Sequence, residues 1–223
     1  MHHQKSTRFD TSLALLASLA LVGCQTAGGG AGAQKIASEA VLSISGRSGV
    51  SLNVLLITPE APAAAIVLLE GGEGVLGISQ GGGVRRARGF LGANRYAFAG
   101  HGLTVALVDA PSDRQGGLSP AFRNSAEHAR DIDAVVAQVR RRTGLPVWLA
   151  GVSRGSLSAS YTAVNGRQRL DGLVLASSST RIPPFSGATR VTEVGLERLR
   201  VPVLAVAHAD DTCRGTPPAG ASE

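Results

Sequence analysis

The sequence predicts an α/β fold in which helices cover both faces of a mostly parallel sheet. Three observations carry that expectation. Short, largely apolar runs recur at residues 64–69, 103–108, 147–150, 170–176 and 201–206, the pattern of strands buried on both faces. Longer mixed stretches separate them, with room for the crossovers that parallel strands require. Residues 125–142 place Ile132, Val135, Val136 and Val139 at i, i+3, i+4 and i+7, one apolar face of a helix. With 223 residues, 43% of them hydrophobic and 17% charged, the chain suits one sizeable globular domain.

The first elements read as an address. Lys5 and Arg8 precede an apolar run over residues 13–22, too short to span a bilayer comfortably. The run ends in Leu21, Val22, Gly23 and Cys24. This ending resembles the bacterial lipobox. The resemblance implies cleavage before Cys24, acylation of that cysteine with palmitate-type chains, and a membrane anchor in the bacterial envelope. Gln25, in place of an aspartate, implies the outer membrane of a two-membraned cell. An ordinary signal peptide with an incidental Cys24 would share the same leader. Residues 24–37 are small and without apolar period, a flexible tether, and the globular domain is expected to occupy 38–223.

Residues 40–47 and 52–58 then read as a hairpin turning through Gly46, Arg47, Ser48 and Gly49. Pro59 and Pro62 break the chain before the buried strand 64–69, which runs into Glu70, Gly71 and Gly72. A helix is expected over 83–100 with Phe90 and Leu91 as apolar anchors, although Gly89 and Gly92 interrupt it. The strand 103–108 ends at Asp109. Asn124 or Ser125 can cap the long helix, Glu127 suits its first turn, Arg140, Arg141 and Arg142 suit its last, and Gly144 with Pro146 ends it.

The strand at 147–150 leads into Gly151, Val152, Ser153, Arg154 and Gly155. Serine between two glycines, where a buried strand turns into a helix, is the pattern of a nucleophile elbow. A side chain at either glycine would collide in so tight a turn. The turn also leaves the Arg154 N–H at a helix start, where a developing oxyanion is stabilised. A glycine-rich βα turn carrying an ordinary serine would show the same spacing. Gly71 and Gly72, at the end of the third strand, allow close backbone approach to a substrate carbonyl. The last apolar run leads through His208 to Asp210 and Asp211.

Together, the GVSRG elbow, the Gly71–Gly72 loop and the acidic strand end resemble the α/β-hydrolase family over residues 40 to 217, most closely its small exported bacterial members without a large lid. The resemblance implies hydrolysis of an ester, thioester or similar acyl bond, with no cofactor and no metal. It implies Ser153 as nucleophile, Gly72 and Arg154 as oxyanion donors, and Asp211 as the acid, with Asp210 the alternative. The family's base is a histidine on a loop beyond the acid, yet none occurs among residues 212–223. His2 and His3 belong to the leader, His101 precedes a strand at the far end, and His128 reads as a solvated residue starting a helix. His208 reads as a loop-orienting residue. The expectation is a hydrolase domain without its last strand and helix and possessing no base of its own. A family cysteine in those elements would have been the partner of Cys213. The competing expectation is an envelope lipoprotein that uses the scaffold to bind rather than to catalyse.

Charge adds little. The formal net charge of +6 falls to +5 when residues 1–23, with Lys5, Arg8 and Asp10, are removed. The cations are scattered arginines, and aromatics make up only 4% of the chain, too few to stack bases. No nucleic-acid partner is expected; a small acyl substrate and a membrane are.

Overall fold

The computed structural model describes residues 33–182 and 187–222. The leader, most of the tether and Cys24 therefore lie outside the described residues. A seven-stranded sheet forms the centre, in the order β1 (Ile36–Ser45), β2 (Ser51–Pro59), β4 (Leu103–Val108), β3 (Ala64–Leu69), β5 (Val147–Val152), β6 (Gly172–Ala176) and β7 (Val203–Val206). β1 pairs with β2 and β2 with β4 antiparallel; every other pair is parallel. The expected α/β class, mostly parallel and flanked by helices, is the one observed.

The hairpin forms as the sequence predicts, with Ser45 opposite Ser51 and Gly49 at φ 72 in its turn. β1 starts at Ile36, inside the stretch expected to be tether. The backbone there is already engaged, Gln34 N–H donating to Gly100 O and Glu60 N–H to Lys35 O. Arg47 fastens the hairpin turn to the long helix through Asp131 at 3.0 Å. Burial pushes the Asp131 carboxyl up even though the Arg47 hydrogen bonds pull it down.

The helices lie on two sides. α4 (Ala126–Thr143) and α5 (Gly155–Asn165) pack one face of the sheet, where Ile132, Val135, Val136, Val139 and Leu157 meet Val67, Val108 and Leu149. The other face is covered through Leu76, Leu91 and Ala99, which meet Ile66, Leu68, Val105 and Trp148. Of the two candidate caps of α4, Ser125 is used: its Oγ accepts the His128 N–H at 3.1 Å, and Gly144 closes the helix at φ 68.

The helix expected over 83–100 is mostly something else. Only α1 (Phe90–Ala93) and α2 (Arg95–Gly100) are helical, and the residues before them run through turns. Residues 84–86 pair instead with the loop after β3, Val84 bridging Ile78 antiparallel and the Arg86 N–H donating to Leu76 O at 2.9 Å. Beside them the buried Glu70 carboxylate accepts the Gly92 N–H at 2.7 Å. A side chain at Gly89 would stand 2.4 Å from its Cδ. Glycine is thus needed where a helix former would otherwise be preferred. Leu91 is buried as expected, whereas Phe90 is 57% exposed and anchors nothing. Between β6 and β7 the described residues hold two 3₁₀ turns, Val191–Glu193 and Leu196–Arg198, and no α-helix.

The chain runs from β3 to β4 on one side, and from β5 to β6 and β7 on the other. The strand order therefore reverses between β3 and β5, which opens a crevice beyond their carboxyl ends, the usual place for a ligand in an open α/β sheet.

Candidate functional site

Ser153 and the Gly71–Gly72 loop occupy that crevice. Leu69 of β3 pairs with Gly151 of β5, so the two strand ends lie side by side. Ser153 follows at φ 50, one of two described non-glycine residues with positive φ. That left-handed conformation is a strained one, and it persists because its surroundings over-determine it. The Ser153 N–H donates to Ala176 O at 3.0 Å, and its carbonyl accepts both the Ser156 N–H and the Ser156 hydroxyl.

The flanking glycines are steric necessities. A Cβ on Gly151 would sit 2.4 Å from Gly155 O, and one on Gly155 only 2.1 Å from Leu69 O. Both obstacles are backbone and cannot swing away. Gly155→Ala is therefore expected to cost about 3 kcal/mol or more of stability. Urea unfolding measures it, and a loss below about 1 kcal/mol would mean that the strand ends are not packed this closely.

Gly71 is pressed against the elbow: a Cβ on it would lie 2.9 Å from Val152 O and 3.1 Å from Ser153 Cβ. Its own N–H is taken by the Glu70 carboxylate at 3.0 Å. Gly72 follows at φ 56, and among the described residues neither its N–H nor that of Arg154 has an acceptor. Arg154 is the N-cap residue of α5, so its N–H stands at the positive end of an eleven-residue helix. Its side chain reaches back to Glu73 at 2.9 Å, an exposed pair with side chains 38% and 60% accessible. Such a pair contributes about 1 kcal/mol at most.

A stronger tie holds the same loop from below. Arg123, at the end of α3 (Pro120–Arg123), is 1% exposed. It donates to Gly72 O at 3.2 Å and to the Ser158 hydroxyl of α5 at 3.1 Å. Burial, then the charge of Arg154, lowers its pKa to about 10, so it stays charged at neutral pH. Hydrogen bonds from a buried charged donor are worth about 1.5–3 kcal/mol each, more than the exposed pair above.

His128 overturns its expected solvation. It is 2% exposed, and its Nε2 lies 2.9 Å from the Ser158 hydroxyl. Burial foremost, then the nearby charges of Arg123 and Arg47, drives its pKa down to about 3, so the imidazole is neutral. Its apolar neighbours on α4 had marked only the core face; nothing nearby in the sequence announces Ser158, the partner of its Nε2. His101 is exposed at the end of α2, just before β4 and thus opposite the elbow.

The acid end assembles at β7. Asp211 accepts the Cys213 N–H at 2.9 Å and the Thr216 hydroxyl at 3.0 Å, and these bonds hold its carboxyl below the usual range. Ser177 ties the strand ends together: its N–H donates to Val206 O, and its neighbour Ala176 receives the Ser153 N–H. Ser153, Ser177 and Asp211 thus line up along the carboxyl ends of β5, β6 and β7. Asp210 is exposed; its N–H donates to His208 Nδ1 at 3.1 Å. No motif points to Ser177, which shares with Ser153 a positive φ, at 41. Cys213 is a free, exposed thiol.

Sequence comparison is silent: no family model and no curated protein matches the chain. Solved structures are informative. One similar fold is an α/β serine hydrolase without a lid from Xanthomonas campestris, at 18% identity and TM-score 0.57, covering 83% of this chain and 77% of that one. A protein of unknown function from Agrobacterium tumefaciens aligns at 15% identity and TM-score 0.56, covering 82% and 75%. The Thermus thermophilus protein TT1662 aligns at 19% identity and TM-score 0.52, covering 84% and 94%. At these identities the likeness speaks for architecture. With a mostly parallel sheet reversing between β3 and β5, and a strained serine at the crevice, the chain adopts the α/β-hydrolase fold.

Proposed function

We propose that this chain is a serine hydrolase scaffold for a small ester, thioester or similar acyl substrate. The observation that carries the reading is Ser153 at φ 50 between the β5 end and the start of α5, with Gly71 packed against it. Ser153 Oγ attacks the acyl carbonyl as a base removes its proton. The Gly72 and Arg154 N–H groups receive the oxyanion, and collapse expels the alcohol or thiol and leaves an acyl-serine for water to cleave. Asp211 is the acid that orients the base, a role supported by its two hydrogen bonds and by the exposure of Asp210. The chain contains no histidine after that acid, and His208 Nδ1 already accepts the Asp210 N–H. Residues 24–223 therefore offer Ser153 no histidine placed to take its proton.

Fluorophosphonate labelling with and without added imidazole tests the proposal. Imidazole supplies the missing base, and a general base is worth about 10²-fold or more. The expected result is labelling of Ser153 that rises on that scale with imidazole and vanishes in Ser153→Ala. If Ser153 stays unlabelled in both conditions, the second reading holds, a non-catalytic module on the same scaffold.

The same proposal places the protein in the bacterial envelope, anchored by a lipid at Cys24. Its support is Leu21, Val22 and Gly23 directly before Cys24 at the end of an apolar run. Palmitate labelling in cells should mark the wild-type protein and not Cys24→Ala. Equal label in both would end the anchoring proposal.

A further inference from the structure

We propose that Arg123 is a positioning residue that fixes the Gly72 peptide, one half of the oxyanion hole in the function proposed above, to the helix that carries the other half. The inference rests on that reading for its purpose, and on geometry for its substance. Gly72 and Arg154 come from separate segments, the loop after β3 and the start of α5. For both N–H groups to meet one oxygen, the two segments must keep a fixed separation, because small misplacements of a catalytic group carry large rate penalties.

Glycine at φ 56 does not supply that fixity itself, since it adopts either sign of φ readily. Arg123 does. One guanidinium nitrogen donates to Gly72 O and the other to Ser158 Oγ on α5. A guanidinium is planar and rigid, so the two acceptors are held in one geometry. The space around it is closed: Gly74, at φ 71, has no room for a side chain, since a Cβ there would stand 2.6 Å from the same nitrogen that holds Gly72. Ser158 is in turn held by His128 Nε2. A small cavity of mixed lining continues from this point, where Glu70, Asp109, Arg123, His128 and Ser158 meet apolar side chains such as Leu118 and Ile132. Asp109 braces its far wall by accepting the Leu76 and Ile78 N–H groups, both at 2.7 Å. The loop is thus braced from β4 and from α5, and Arg123 is the member that touches Gly72.

The test is nuclear magnetic resonance of the full chain, which needs no turnover. In wild type the order parameters of the Gly72 and Glu73 N–H groups should stay above about 0.8; in Arg123→Met they should fall below about 0.6, with β3, β5 and α4 unchanged. Arg123→Lys, which keeps a donor, should restore most of the order. Should Arg123→Met fail to fold, Ser158→Ala removes the second anchor and should lower both values by at least about 0.1. Unchanged order at Gly72, or a loosening spread evenly over the sheet, overturns the proposal. Because the readout does not involve Ser153, failure of Ser153 labelling defeats the hydrolase reading and leaves this result standing.

Discussion

Residues 24–223, purified as a monomer, will hydrolyse aryl esters no faster than their Ser153→Ala variant. A serine hydroxyl is a weak nucleophile at neutral pH unless its proton is taken as it attacks. Each histidine described here is committed elsewhere or out of place. His101 lies beyond the opposite edge of the strands. His128 is buried beneath the loop, with its Nε2 on Ser158. His208 stands at the correct end, but its Nδ1 receives the Asp210 N–H. The Asp211 carboxylate, placed to orient an imidazole, has both oxygens bound to Cys213 N–H and Thr216 hydroxyl. A triad without one member retains rates of about 10³–10⁴ over water from its oxyanion hole and binding. The Ser153→Ala protein keeps those same donors, so the difference between the two vanishes. Initial rates with p-nitrophenyl acetate decide it. Turnover that depends on Ser153 would overturn the expectation, and His208→Ala would then be the variant to examine.

What could be read from the sequence divides by range. β3 and β4 were legible to the residue, because strands buried on both faces are near-continuous apolar runs, the first ended by Glu70 and the second bracketed by Gly102 and Asp109. The elbow was legible because its geometry tolerates only glycine on either side of Ser153, a constraint written in adjacent positions. The stretch before α1 failed for the opposite reason. Its backbone pairs with the loop after β3, the Arg86 N–H on Leu76 O ten positions back, and it packs on Glu70 at Gly89. Arg123 and His128 follow the same logic: their burial depends on Gly72 and Ser158, 51 and 30 positions away. α5 did carry a faint sign, with serines at 156, 158 and 160 all buried in it. Buried hydroxyls require polar partners, and Arg123, His128 and the Ser153 carbonyl are among them.

His128 also sets how the fold should respond to acid. Its pKa is about 3 in the folded protein against an ordinary value of 6.5. Below pH 6.5 the unfolded chain takes up a proton that the folded chain refuses, so stability is lost as the pH falls towards 3 and is fully present above 6.5. The slope is about 1.4 kcal/mol per pH unit, which over this interval amounts to roughly 5 kcal/mol, a large share of a typical domain's stability. The carboxylates act lower. Asp171 and Asp211, both held below the usual range by their hydrogen bonds, remove stability only as the pH drops through that range. Asp131, pushed up by burial, works in the opposite direction by binding its proton more readily when folded. The interval from pH 6.5 to about 5 therefore isolates the imidazole. Urea unfolding across it should show the slope in wild type. His128→Gln, which keeps a group able to hydrogen-bond Ser158 but cannot take a proton in this range, should lose stability at neutral pH and show a flat profile down to pH 5. An equal slope in both proteins would mean that His128 takes its proton as readily in the folded chain as in the unfolded one.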